Sequence, residues 1–139
     1  MTDILMDAGP LVAIFHRGDD HHTVCTQTML SLNCEFYTTL PVLTEAMYIL
    51  MDRAGWRAQE ALWRLINRGD LLLSHPSASE LVRMEELMSK YNDRPMDFAD
   101  ASLVALAERL SLTKVFTVDR KDFSTYRIGR KTPFTIIGP

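Results

Sequence analysis

The run Ile4-Leu5-Met6 places apolar residues in succession and then breaks on Asp7-Ala8-Gly9-Pro10. A short, continuously apolar run with a turn behind it predicts a buried strand over Asp3–Met6. A helix then opens near Pro10 and runs through Leu11-Val12-Ala13-Ile14-Phe15. Arg17 to His22 is a polar connector, and helical spacing over 22–32 turns Val24, Met29 and Leu32 inward. Glu35-Phe36-Tyr37-Thr38-Thr39, rich in aromatic and β-branched residues, predicts a second strand. Pro41 starts a helix with Val42, Leu43, Ala46, Met47, Ile49 and Leu50 on its apolar side, ending near Gly55. Another spans Arg57–Asn67, with Leu62, Leu65 and Ile66 as its stripe, and Gly69 stops it before the strand Leu71-Leu72-Leu73.

Residues 77–91 form a helix with Leu81, Met84, Leu87 and Met88 inward, and a further helix runs from Asp97 to about Leu110. Lys114–Val118 is a fourth strand ending in Asp119, and Phe134–Ile137 a short terminal one. Strands alternating with helices predict a parallel sheet covered on both faces, its strands joined by right-handed crossovers. No repeat, linker or low-complexity tract interrupts the pattern, so residues 1–139 read as one domain.

Composition narrows the class. With 47% hydrophobic and 24% charged residues the chain is globular rather than disordered. A formal net charge of −3 argues against a wholly basic nucleic-acid binder while leaving room for a local basic patch. Cys25 and Cys34 lack CxxC spacing and read as reduced, buried small residues. No secretory leader or membrane span is visible, which places the expected compartment in the cytoplasm.

The chemistry lies in the acids. In an open parallel sheet, sites form at the carboxyl ends of the strands. Asp7 and Asp119 each follow an apolar strand, Glu45 sits one turn into the helix after the second strand, and Asp100 starts the helix before the fourth. Four carboxylates converging there would repel one another unless protons or a cation relieve them. Oxygen-only ligation without His or Cys favours Mg²⁺ or Mn²⁺, which suits phosphodiester hydrolysis.

Four blocks carry a resemblance: ILMDAGPLVAIF with Asp7, PVLTEAMYIL with Glu45, MDFADASLVALAERL with Asp100, and VFTVDRKDF with Asp119. Together they resemble PIN-domain ribonucleases, most closely the VapC toxins of bacterial toxin–antitoxin pairs. The resemblance implies a three-layer α/β/α fold around a mostly parallel sheet of four to five strands. It further implies Mg²⁺- or Mn²⁺-dependent endonuclease cleavage of RNA, homodimers, and inhibition by a VapB-type antitoxin. Asp7, Glu45, Asp100 and Asp119 match the family's acidic quartet, and Thr117 its hydroxyl residue two before the last acid. The family often has Thr or Ser directly after the first aspartate, where this chain has Ala8. A PIN-fold binding or scaffold protein with impaired catalysis is therefore the alternative. A response-regulator receiver also clusters aspartates, but the third strand here ends in Ser74-His75 without a phosphoacceptor.

The remaining candidates divide by their surroundings. Asp97 reads mainly as a helix N-cap, worth about 1 kcal/mol, with a secondary place at the site; Asp97 and Asp100 share capping-box spacing. His16, His21, His22 and His75 read as loop residues, since no zinc spacing completes them. Trp56 and Trp63, two helical turns apart, mark a candidate partner surface. In RKDFSTYRIGRK, the cations Arg120, Lys121, Arg127, Arg130 and Lys131 are candidates for holding RNA phosphates, with Phe123 and Tyr126 stacking on bases.

Overall fold

A computed structural model describes residues 3–139. Its central sheet is built from β1 (Ile4–Met6), β2 (Phe36–Thr39), β3 (Leu71–Ser74), β4 (Lys114–Phe116) and a terminal strand over Thr135–Ile137. All neighbours are parallel, in the order β3, β2, β1, β4 and then the terminal strand. β1 is buried at every residue, as a central parallel strand with helices on both faces must be. From β1 the chain steps outward to β2 and β3, then crosses back to lay β4 on the other side of β1. That reversal opens a crevice at the carboxyl ends of β1 and β4.

The helices are α1 (Ala8–Phe15), α2 (His22–Ser31), α3 (Leu40–Ala54), α4 (Trp56–Asn67), α5 (Ala78–Lys90), α6 (Phe98–Leu110) and the short α7 (Arg120–Thr125). They cover the sheet in a three-layer α/β/α arrangement. α1 packs on α2, α3 and α4, while α5 packs on α6. α6 is buried without interruption from Ala99 to Ala107, so it is apolar nearly all round and reads poorly as an amphipathic helix. Its alanines and Ser102 let neighbouring backbone approach closely; the Ser102 hydroxyl meets Thr39 Oγ1 at 2.6 Å. Thr39 in turn caps α3 by accepting from the Val42 N–H. This one contact ties the start of α3 to the start of α6, the two helices that carry Glu45 and Asp100.

Several expectations need correction. α1 begins at Ala8, because the Asp7 side chain accepts from the Ala8 N–H and starts the helix before Pro10. Val24 (42% exposed) and Leu81 (47%) face outward; Cys25 alone is buried on α2, and Met84 and Leu87 carry the inner face of α5. Met29, Leu32 and Cys34 are half-buried at the core's edge. β4 ends at Phe116, leaving Thr117 and Val118 in the crevice loop. The segment read as a basic tail is folded: α7 is followed by a hairpin of β5 (Arg127–Ile128) and β6 (Thr132–Pro133), which makes the terminal strand β7. The capping box appears at Ser77/Glu80 on α5 rather than at Asp97/Asp100.

The hairpin is fastened by Glu108, which accepts from Arg83 at 2.8 and 3.0 Å and from the Gly129 N–H at 2.8 Å. Glu108→Ala is expected to cost about 1–2 kcal/mol in urea unfolding and to speed exchange of the Gly129 amide. Glu60→Ala, which removes only an exposed pair with Arg64, should change stability by less than about 0.5 kcal/mol.

Candidate active site

Register alone brings the first two site residues together. Met6 pairs with Phe116, so Asp7 and Thr117 leave their strands side by side, and the Asp7 N–H donates to Phe116 O at 3.0 Å. The Thr117 hydroxyl then donates to Asp7 Oδ2 at 2.8 Å and accepts from the Asp119 N–H at 2.9 Å. Asp7 Oδ1 accepts from the Ala8 N–H at 2.8 Å. Each Asp7 oxygen thus has one donor that fixes its direction, and neither donor is a cation. Thr117 is fully buried, so this hydroxyl is held as firmly as the core around it.

Across the crevice, Asp100 lies on the first turn of α6 and is 8% exposed, as is Asp7. Its Oδ2 accepts from the Tyr126 hydroxyl at 2.8 Å. Asp97 caps α6 by accepting from the Ala99 N–H at 2.7 Å, with its side chain at the exposed rim. Asp119 caps α7 by accepting from the Asp122 N–H, and Glu45 is half-buried on α3. Glu45 and Asp97 also border an apolar cleft of about 640 Å³ lined by Leu40, Pro41, Leu81 and Phe98.

The electrostatics follow from burial among like charges. Desolvation lifts the Asp7 carboxyl to about 6 against its two hydrogen bonds, with Asp119 and Asp97 adding repulsion. Asp100 rises to about 8, first through desolvation and then through the Asp7 charge; the Tyr126 hydrogen bond opposes this, and Asp97 and Asp119 add to it. Glu45 is raised by burial and by the charges of Asp97 and Asp7. Burial and the neighbouring Asp100 hold the Tyr126 phenol well above its ordinary range, so it remains a donor. None of the ion pairs among the described residues involves Asp7, Glu45, Asp97, Asp100 or Asp119. The acids face one another at Coulombic range rather than in contact, and among the described residues no three His, Cys, Asp or Glu side chains form a ready-made metal cage.

The basic segment is placed differently from its sequence reading. Arg120 is spent on Gly138 O and Pro139 O, and Arg127 on the carbonyls of Ser124, Thr125 and Tyr126. Phe123 and Tyr126 are buried and cannot stack on bases. Arg130 and Lys131 are exposed in the hairpin beside Gly129, which is fastened at Glu108, two turns or roughly 12 Å along α6 from Asp100. Lys121 is exposed near the crevice, and its charge and that of Arg94 act on Asp122. Arg94, Asp122 and the Asp100 contact of Tyr126 escaped the sequence reading. Asp122 had a local signal, three residues after the Asp119 cap. The Tyr126–Asp100 pair had none, because 26 residues separate them. Among the described residues the histidines belong to no metal cluster; His22 Nδ1 meets Ala13 O at 2.7 Å.

A family model described as the PIN domain matches residues 4–129. Ribonuclease VapC26 of Mycobacterium tuberculosis is 28% identical over 134 residues, which span 96% of this chain and 99% of that protein. Among solved structures, M. tuberculosis VapC20, a sarcin-ricin loop cleaving toxin, superposes with a TM-score of 0.85 at 21% identity, covering 98% of this chain and 99% of that one. VapBC2 of Rickettsia felis, solved with a DNA fragment from its promoter, matches with a TM-score of 0.70 at 14% identity over 98% and 99% of the two chains. At those identities the two structures speak for the shared fold. The sheet order, the acids at its crevice and a family match over residues 4–129 lead to one assignment: the chain belongs to the PIN-domain family.

Proposed function

We propose that this chain is a divalent-metal-dependent endoribonuclease, the toxin half of a VapBC-type pair, acting as a single PIN domain in the cytoplasm. The observation that carries the reading is the pair Asp7 and Asp100, two buried carboxylates across one crevice with no cationic partner among the described residues. A protein that keeps such a pair expects a cation from outside. The donors are all oxygens, which fits Mg²⁺ or Mn²⁺ better than zinc. Kinship with a relative named Ribonuclease VapC26 supports RNA as the substrate, and the VapBC assembly of the R. felis neighbour fits a VapB-type antitoxin as the partner. Exposed apolar residues on α3 and α4 (Tyr48, Met51, Trp56 and Trp63) supply surface for that partner and for a homodimer.

Asp7 and Asp100 would hold the ion directly, and Glu45 and Asp119 would complete the site directly or through water, with Asp97 at its rim. When bound, Mg²⁺ or Mn²⁺ supplies neutralisation of phosphodiester charge and a lowered pKa for the attacking water. The chain's own part is orientation. Thr117 and the Ala8 N–H fix Asp7, and the α3–α6 contact through Thr39 and Ser102 fixes the spacing of Glu45 and Asp100. Lys121 and Arg94, whose charges both reach Asp122 next to the Asp119 cap, would meet RNA phosphates at the crevice. A scaffold reading leaned on the missing hydroxyl at Ala8. Thr117 brings a hydroxyl to Asp7 from 110 residues away, which favours an active site.

Asp7→Asn keeps an acceptor for the Ala8 N–H and should fold. Its RNA cleavage in Mn²⁺ should fall by on the order of 100-fold or more, and with it growth inhibition on expression. Retention of both activities would sink the assignment. A second expectation concerns pH. Both Asp7 and Asp100 have native values above their ordinary 3.8, so below about pH 4 they are protonated whether folded or not. Between about pH 4 and the native values near 6 and 8, the unfolded chain gives up these protons while the native state keeps them, so metal-free stability falls until both native values are passed. Urea unfolding in chelator from pH 5 to 9 should show this decline. Asp100→Asn should flatten its upper part, gaining up to about 5 kcal/mol at pH 8.5.

A further inference from the structure

We infer that Tyr126 is a positioning residue for the active-site carboxylate Asp100, a role that rests on the metal-site reading above. The hydroxyl donates to Asp100 Oδ2 at 2.8 Å, and no other hydrogen bond to that side chain exists among the described residues. With Oδ2 engaged toward the protein, Oδ1 is the oxygen left for the crevice. Tyr126 supplies one neutral O–H. An arginine or lysine in its place would orient the carboxylate but also cancel the charge an ion requires. A phenol orients and leaves the charge.

The hydroxyl is held from several directions. Tyr126 is 3% exposed, and its ring meets Tyr91 edge-on at 5.3 Å and Phe123 at 5.2 Å. Phe123 leans in turn on Phe134 at 5.5 Å, which ties the stack to the entry of β7. The next residue is fixed as well: the Arg127 N–H donates to the Tyr91 hydroxyl at 3.1 Å, and its guanidinium hooks back onto the carbonyls of residues 124–126. The folded segment after Asp119 therefore acts as a brace whose tip is one oxygen atom. An outer partner of this kind, when removed, commonly costs a metal site 10- to 100-fold in affinity or activity.

Tyr126→Phe keeps the ring and its edge contacts and deletes only the donor. Tyr91→Phe is the control: it keeps the same stack and loses a hydroxyl that accepts from the Arg127 N–H and touches no carboxylate, while the Arg127 guanidinium still holds the segment through the carbonyls of Ser124, Thr125 and Tyr126. The full chain and both variants are titrated with Mn²⁺ at pH 7.5, free ion being read by electron paramagnetic resonance. Tyr126→Phe should bind about 10-fold or more weakly, with Tyr91→Phe within about twofold of the parent. RNA cleavage by Tyr126→Phe should lose kcat rather than KM and recover as Mn²⁺ is raised. Parent-like affinity in Tyr126→Phe overturns the proposal while the metal site stands. Equal weakening in both variants also overturns it, assigning the effect to packing of the stack. A parent chain that takes up no Mn²⁺ removes the metal reading, and this role with it.

Discussion

Two carboxylates buried at the reversal point of a parallel sheet, without a positive charge among the described residues to meet them, are the constraint around which this molecule is arranged. Asp7 is carried there by the most buried strand, and Asp100 by the most buried helix. Neither can retreat to solvent without dragging core backbone with it. Their mutual repulsion is therefore built in, and it shows as two raised titrations, to about 6 and about 8. A fold selected for stability alone would place an arginine between them or replace one with a neutral residue. This one instead supplies neutral donors: the Ala8 N–H, the Thr117 hydroxyl and the Tyr126 hydroxyl. Direction is enforced and charge is preserved.

The supporting contacts share that economy. Thr38 donates to Met6 O at 2.7 Å, locking the end of β2 to the end of β1 one residue before Asp7. Thr39 and Ser102 join the starts of α3 and α6. Thr117 links Asp7 to the loop that presents Asp119. Three buried threonines and a serine thus do the aligning, each at the carboxyl end of a strand or the first turns of a helix. Hydroxyls suit this work because they satisfy a buried acceptor and donor without importing charge. Beyond β4, the C-terminal segment adds the aromatic stack and the contact to Glu108, so roughly the last sixth of the chain braces the site instead of trailing from it.

Much of this was legible in the sequence, and the failures have physical causes. The strands announced themselves through short apolar runs, and Asp7 and Asp119 through their position after them. Glu45 and Asp100 were reachable from their places on the first turns of helices beside the strand ends, and Thr117 only because the four-block resemblance added register that periodicity lacks. Val24 and Leu81 were misplaced because a single apolar residue on a short helix does not reveal which face is covered; exposed leucines and valines are ordinary. The RKDFSTYRIGRK segment was misread because its charges dominate its composition. Phe123, Tyr126 and Ile128 are its buried half, and the arginines among them fold back onto carbonyls. A contact such as Tyr126 with Asp100 is a product of tertiary packing, and no local pattern encodes it.

The most direct test of the central claim is calorimetric titration of Mn²⁺ into the metal-free chain at pH 7, repeated in buffers of different ionisation enthalpy. Asp100, near 8, is mostly protonated at that pH, whereas Asp7, near 6, is mostly ionised. An ion taking the place of that proton should release about one proton per site. Binding with release near one is the predicted result. Binding without proton release, or no binding at all, would contradict the view that these buried acids are held for a cation.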